Sequence, residues 1–119
     1  MNKTIVVRND MTETVAAPWG GLTWYASGKL GNSTELTVGR CVIKPGMSNP
    51  LHFHPNCTEI LIVLQGTVMH TTDGGESRMD AGDTITVQSG FTHHATNIGN
   101  TDAVLFVVFP TPDRKVENE

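Results

Sequence analysis

All five histidines of this 119-residue chain fall between positions 52 and 94, and they are its residues best suited to chemistry. In His52-Phe53-His54 two imidazoles stand two positions apart. On a β-strand, side chains at that spacing leave the same face, so both rings can converge on one point while Phe53 packs on the other side. Glu59 lies five positions beyond His54, an odd spacing that would put it on the wrong face of a continuous strand. Pro55-Asn56 is turn chemistry, however, and can reset the phase. A carboxylate at the head of the apolar run Ile60–Leu64 is costly to bury alone, and a cation held jointly with two histidines removes that cost. A further ligand has to come from another strand. His93 and His94 are adjacent, so only one of them can face inward, and spacing does not choose between them; His70 is a lesser candidate. Imidazoles with one carboxylate suit one divalent ion of Fe, Mn, Ni, Cu or Zn and fit Ca or Mg poorly. Four protein ligands on an octahedral ion leave room for water, dioxygen or a chelating small molecule.

The elements that must position these groups read as strands. Val, Ile and Thr supply 34 of 119 residues, against 12 glycines and 6 alanines, a β-branched and turn-rich composition. No helical periodicity survives the glycines and prolines. Strand-like runs recur at Thr4–Arg8, Leu22–Ala26, Leu36–Ile43, Glu59–Gln65, Thr67–Thr72, Thr84–Gln88, Thr92–Asn97 and Ala103–Phe109, separated by turn material such as Lys44-Pro45-Gly46 and Asp73-Gly74-Gly75. This spacing predicts an all-β, antiparallel sandwich or barrel in a single domain. Ile60–Leu64 and Val104–Phe109 are apolar at every position, so both faces of those strands should be covered, the second by another layer or by a second copy in a homodimer.

Composition excludes several classes. The net charge of −4, with no basic cluster, argues against nucleic acid as a partner. No apolar run approaches the roughly 18 residues of a membrane span. Met1 to Asp10 lacks the apolar core and cleavage site of a secretory signal, which predicts a cytoplasmic protein. Cys41 and Cys57 are too few for a disulfide scaffold.

The chain resembles the cupin superfamily. That family's first motif, G-x5-H-x-H-x4-E-x6-G, is met at Gly46, His52, His54, Glu59 and Gly66. The second, G-x5-P-x-G-x2-H-x3-N, is met at Gly82, Gly90, His93 and Asn97, with Gln88 in place of the proline. The 15 residues between the motifs match the short spacing of small single-domain microbial cupins. The resemblance implies a jelly-roll β-barrel over residues 31–110. Residues 1–30 are then an N-terminal arm and first strands packed on the barrel or on a dimer partner, and residues 111–119 a loose tail. It also implies that His52, His54, Glu59 and His93 bind one metal, leaving His94 outside the set. Loss of the proline loosens the turn before Gly90 and removes no ligand.

A barrel interior that holds a metal is also a pocket. Arg40 shares a strand face with Leu36, Val38 and Val42, and is a candidate to bind an anionic substrate or to form a salt bridge. Trp24, with Trp19 and Tyr25, can line the pocket mouth or pack in the core. His94 is the candidate acid-base residue. Gln65 and His70 cannot be phased, and Cys57 stands near the site by sequence. The function expected is that of a metalloenzyme acting on a small oxygenated or anionic metabolite, a sugar acid, keto acid or hydroxy acid, by Lewis-acid-assisted isomerisation or lyase chemistry. The alternatives are a metal-dependent dioxygenase and a non-catalytic binding module.

Overall fold

The computed structural model describes residues 4–118. A short 3-10 turn, Asn9–Met11, precedes eleven strands: β1 (Glu13–Ala17), β2 (Gly20–Ala26), β3 (Thr37–Ile43), β4 (His52–Phe53), β5 (Glu59–Gln65), β6 (Thr67–Thr72), β7 (Gly75–Asp80), β8 (Thr84–Val87), β9 (His93–Asn97), β10 (Ala103–Phe109) and β11 (Glu117–Asn118). They form two sheets, a six-stranded one ordered β1-β2-β3-β10-β5-β8 and a five-stranded one ordered β11-β4-β9-β6-β7. Every pairing is antiparallel. The expected all-β jelly roll is the fold, and among the described residues no helix is long and apolar enough to cross a membrane.

Alternation of side chains builds the core. In β10, Ala103, Leu105, Val107 and Phe109 face inward, and β5 contributes Leu61 and Val63 to the same layer. The outer positions of β5 are not covered within one chain, where Ile60 and Leu64 remain 38% and 49% exposed. In β3 the inward set is Thr37, Gly39, Cys41 and Ile43. Gly39 is there for space. A Cβ at this position would lie 2.4 Å from Cε3 of Trp24, whose indole fills the core beside it. Gly39→Ala should therefore displace a packed ring at a cost of about 1–3 kcal/mol. A thermal melt checks this, and an unchanged midpoint would show that the indole shifts freely.

Several expectations are corrected. Thr4–Arg8 forms no strand: it pairs with no neighbouring strand, and Ile5 and Val6 remain 63% and 69% exposed. The first strands expected within residues 1–30 are β1 and β2, and they extend the barrel wall because β2 pairs along β3 and β1 pairs with β2. β1 and β7 escaped notice because each is mostly polar or exposed, and hairpin geometry carries them: Ala17 pairs with Gly20, and Thr72 with Gly75. The turn before β7 uses Gly74 at φ 90°, a conformation that favours glycine.

The tail is not loose either. β11 pairs with β4, and Asn56 holds the segment on both sides of Arg114. Its Nδ2 donates to the Asp113 carbonyl (3.0 Å), and its Oδ1 accepts from the Lys115 N–H (2.9 Å).

Candidate metal centre

His52 and His93 are register partners across β4 and β9 in the five-stranded sheet, and His54 follows directly after β4. Glu59 opens β5 in the opposite sheet on its buried face. The Pro55-Asn56 turn has thus reset the phase, and the four side chains meet between the two sheets. Their candidate ligand atoms all lie within 4.8 Å of one another. His54, Glu59 and His93 are buried and His52 is half-buried.

Backbone carbonyls fix the orientation of all three rings. His52 Nδ1 donates to the Pro50 carbonyl (2.8 Å), His54 Nδ1 to that of Lys115 (2.8 Å) and His93 Nδ1 to that of Phe91 (3.1 Å). A carbonyl only accepts, so each ring carries a proton on Nδ1 and turns its Nε2 toward the shared point. Holding the distal nitrogen this way is how proteins orient metal-binding imidazoles. The Nε2 atoms of His54 and His93 lie 3.1 and 2.9 Å from Oε1 of Glu59. The buried Nε2 of His54 has no hydrogen-bond partner. Three Nε2 atoms and one buried carboxylate converge on one point, and a cation there would satisfy all four, so the donor set fits one divalent metal ion.

The electrostatics agree. Burial pushes the Glu59 carboxyl up, but the facing His54 and His93 imidazoles outweigh it and hold the group down at about 2. Burial pushes His52 down to about 4, so its ring is neutral near pH 7 and free to ligate. Burial lowers His93 as well, but the Glu59 carboxylate beside it reverses the direction, and its net shift is upward. The second-motif turn is tied to this centre despite Gln88: the Gly90 N–H and the Ser89 hydroxyl both donate to the His54 carbonyl, at 2.9 and 3.2 Å.

An inner cavity of about 60 Å³ adjoins the centre, lined by His54, Glu59, His93, apolar residues including Leu61, Leu105 and Phe109, and four polar or aromatic residues, Asn49, His70, Trp24 and Arg114. Trp24 is buried in the core and lines this cavity. Arg40 does not line it. It was correctly grouped with Val38 and Val42, but that is the outward face of β3, with the guanidinium exposed opposite Phe106. His94 also turns away: β9 buries His93, Ala95 and Asn97, and His94 Nδ1 donates to the Asn49 carbonyl (3.2 Å). Gln65 is exposed and donates to the Asp102 carbonyl (3.2 Å). Tyr25 packs on Phe106, and Cys57 is buried without lining the cavity. Cys41 lines it as a thiol that burial, then the Glu59 charge, push up to about 12.

His70 does face inward. It is 1% exposed, stacks on His93 with ring centroids 5.5 Å apart, and neither ring nitrogen has a hydrogen-bond partner. Burial pushes its pKa down to about 4. Arg114 was missed altogether, because no local periodicity links residue 114 to a strand 60 residues earlier in the chain. The available signals were the aromatic Trp24, a natural platform for a guanidinium, and Asn56, a side chain able to grip an extended backbone.

Residues 39–109 match the family model described as the Cupin domain. The wheat (Triticum aestivum) oxalate oxidase GF-2.8 is 31% identical over 107 residues, covering 83% of this chain and 44% of its own length. Germin-like protein 3-5 of rice (Oryza sativa subsp. japonica) is 31% identical over 109 residues, covering 85% of this chain and 44% of its own. The chain thus spans less than half the length of these relatives. Among solved structures, an oxalate decarboxylase–formate complex from Lactobacillus farciminis superposes with a TM-score of 0.84 at 19% identity, over 92% of this chain and 34% of that one. A Bacillus subtilis oxalate decarboxylase with Mn(II) centres superposes with a TM-score of 0.81 at 23% identity, over 89% of this chain and 29% of that one. At those identities the superpositions show the fold.

Proposed function

The chain belongs to the cupin-domain family, and from that premise we propose that it is a metal-dependent enzyme acting on a small carboxylate of the oxalate type. One observation carries the reading: three imidazoles locked through Nδ1 turn their Nε2 atoms, together with one carboxylate, toward a single point. His52, His54, Glu59 and His93 would hold the ion. Manganese is the first choice, because the B. subtilis neighbour contains Mn(II) and a carboxylate ligand suits that ion. When bound, a divalent ion supplies Lewis acidity and a point of attachment for carboxylate oxygens.

The chain's own residues do the rest. Glu59 cancels one of the ion's two charges, so the loaded centre keeps a net positive charge and favours an anion. Leu61, Leu105 and Phe109 keep the cavity apolar, which strengthens that attraction relative to water. The inner cavity is small, about 60 Å³, which favours a small carboxylate next to the centre.

Protein purified without a metal-affinity column, stripped, and reloaded with Mn(II) should turn over oxalate, while the stripped protein should not. Peroxide with oxygen uptake would assign an oxidase, and formate with carbon dioxide a decarboxylase. Anaerobic turnover of a small keto or hydroxy acid with Zn(II) would move the assignment to proton transfer, because zinc has no redox chemistry. Saturable binding without product under any metal would leave a binding module and defeat the enzymatic reading.

A further inference from the structure

The metal set accounts for three polar side chains of the inner cavity, His54, Glu59 and His93, but Arg114 and His70 are left without an assigned role. Arg114 sits in the segment that Asn56 clamps at Asp113 and Lys115, so its direction is fixed from both sides. Its guanidinium carbon lies 4.0 Å from the centroid of the Trp24 ring and 5.7 Å from that of Phe109. Phe109 in turn packs edge-on against His54, with centroids 4.8 Å apart. The arginine is half-buried, and among the described residues no carboxylate forms a salt bridge with it. Acidic neighbours are close in sequence, yet Asp113 pairs instead with Lys115 at the surface (3.6 Å). Lys29 is likewise paired with Glu13 at the outer cleft. Arg114 and Trp24 line both that cleft and the inner cavity, which puts the guanidinium between the way in and the metal centre.

His70 is a second, independent sign of a missing ligand. A neutral imidazole with both nitrogens buried and unpartnered forgoes a donor and an acceptor, which is costly unless something in the cavity completes them. It abuts His93, whereas Arg114 lies toward His54, so the two flank the metal set from different sides.

We infer that Arg114 is the carboxylate-binding residue of this site, and that His70 meets a second oxygen function of the same ligand. The ligand class is a small carboxylate bearing another oxygen group: a dicarboxylate, a 2-oxo acid or a 2-hydroxy acid. A planar guanidinium held over an indole face keeps its N–H fork free for carboxylate oxygens. The anion-recognising arginine expected at position 40 is supplied from the C-terminal segment instead. This inference rests on the proposed reading of the centre as a metal site for small carboxylates.

The test is calorimetric titration of oxalate into Mn(II)-loaded wild type, Arg114→Gln, Arg114→Lys and His70→Phe, with metal content measured on each. Arg114→Gln should keep the wild-type manganese content and lose oxalate affinity by roughly 10- to 100-fold, the worth of a charge-assisted hydrogen bond. Arg114→Lys, which keeps the charge but not the fork, should fall between, and it provides the same readout if the glutamine variant does not fold. His70→Phe should keep manganese and bind oxalate more weakly. Unchanged oxalate affinity in Arg114→Gln would overturn the inference and leave the proposed function standing. Loss of manganese in that variant would also overturn it, by showing that Arg114 acts through the tail on His54. A manganese-loaded wild type that binds neither oxalate nor glyoxylate would overturn the proposed function and this inference together.

Discussion

Glu59→Ala is expected to reduce bound metal from about one ion per chain to a trace while the barrel stays folded. The carboxylate is the sole anionic member of the set, and it bridges the sheets by reaching from β5 toward His54 and His93. Without it the three imidazoles offer a divalent ion neutral donors from one sheet only, and nothing offsets its charge in a buried site. Loss of an orienting neighbour alone costs such sites about 10- to 100-fold in affinity, and loss of a charged ligand costs more. Stability should not collapse in parallel. The metal-free centre confines a carboxylate that burial disfavours, so its removal relieves a desolvation cost as well as breaking contacts with the histidines. Elemental analysis after dialysis, with circular dichroism on the same sample, separates the two effects. Full metal occupancy in Glu59→Ala would sink the assignment, and His52→Ala provides an independent check, because its Nε2 belongs to the same set.

The second large effect is on stability, at Asn97. This residue is 1% exposed, and its amide closes three hydrogen bonds. Nδ2 donates to the carbonyls of Ile43 (2.8 Å) and Thr101 (2.7 Å), and Oδ1 accepts from the Gly99 N–H (2.9 Å). It thereby ties the end of β3 to the turn between β9 and β10. Asn97→Ala leaves two carbonyls and one N–H buried or half-buried without partners, at about 1 kcal/mol or more each, so a loss of about 3–5 kcal/mol is expected. For a domain this size that corresponds to a midpoint lower by on the order of 15 °C. Asn97→Asp should not rescue it, since a carboxylate keeps the acceptor and loses both donors. A shift of only a degree or two would mean that water replaces the amide. The second motif's asparagine is thus a structural tie, whereas its histidine is a metal-ligand candidate.

These two positions also show what was legible from residue order. Three of the four metal-ligand candidates could be anticipated because their rules are local: two histidines two positions apart, a proline turn that resets phase, and an apolar strand headed by a carboxylate. The choice of His93 over His94 needed the family motif, and the buried face of β9 agrees with it. β1 and β7 were invisible because neither buries much apolar surface.

What the order of residues determined by itself was the all-β class, the jelly roll through its two motifs, and the membership of each strand face, since side chains alternate with period two whatever surrounds them. It grouped Arg40 with Val38 and Val42 correctly. Which face of a strand turns inward is a different matter, decided by volume across the core. Gly39 and Cys41 are small enough to accept Trp24, so their face turned inward and Arg40 went to solvent. The place of Arg114 is likewise tertiary. It depends on a pairing between β11 and β4 and on Asn56, contacts between residues about sixty positions apart that no local pattern encodes. Three of the four candidate ligands lie within residues 52–59, whereas the surroundings of the ligands are assembled from the whole barrel.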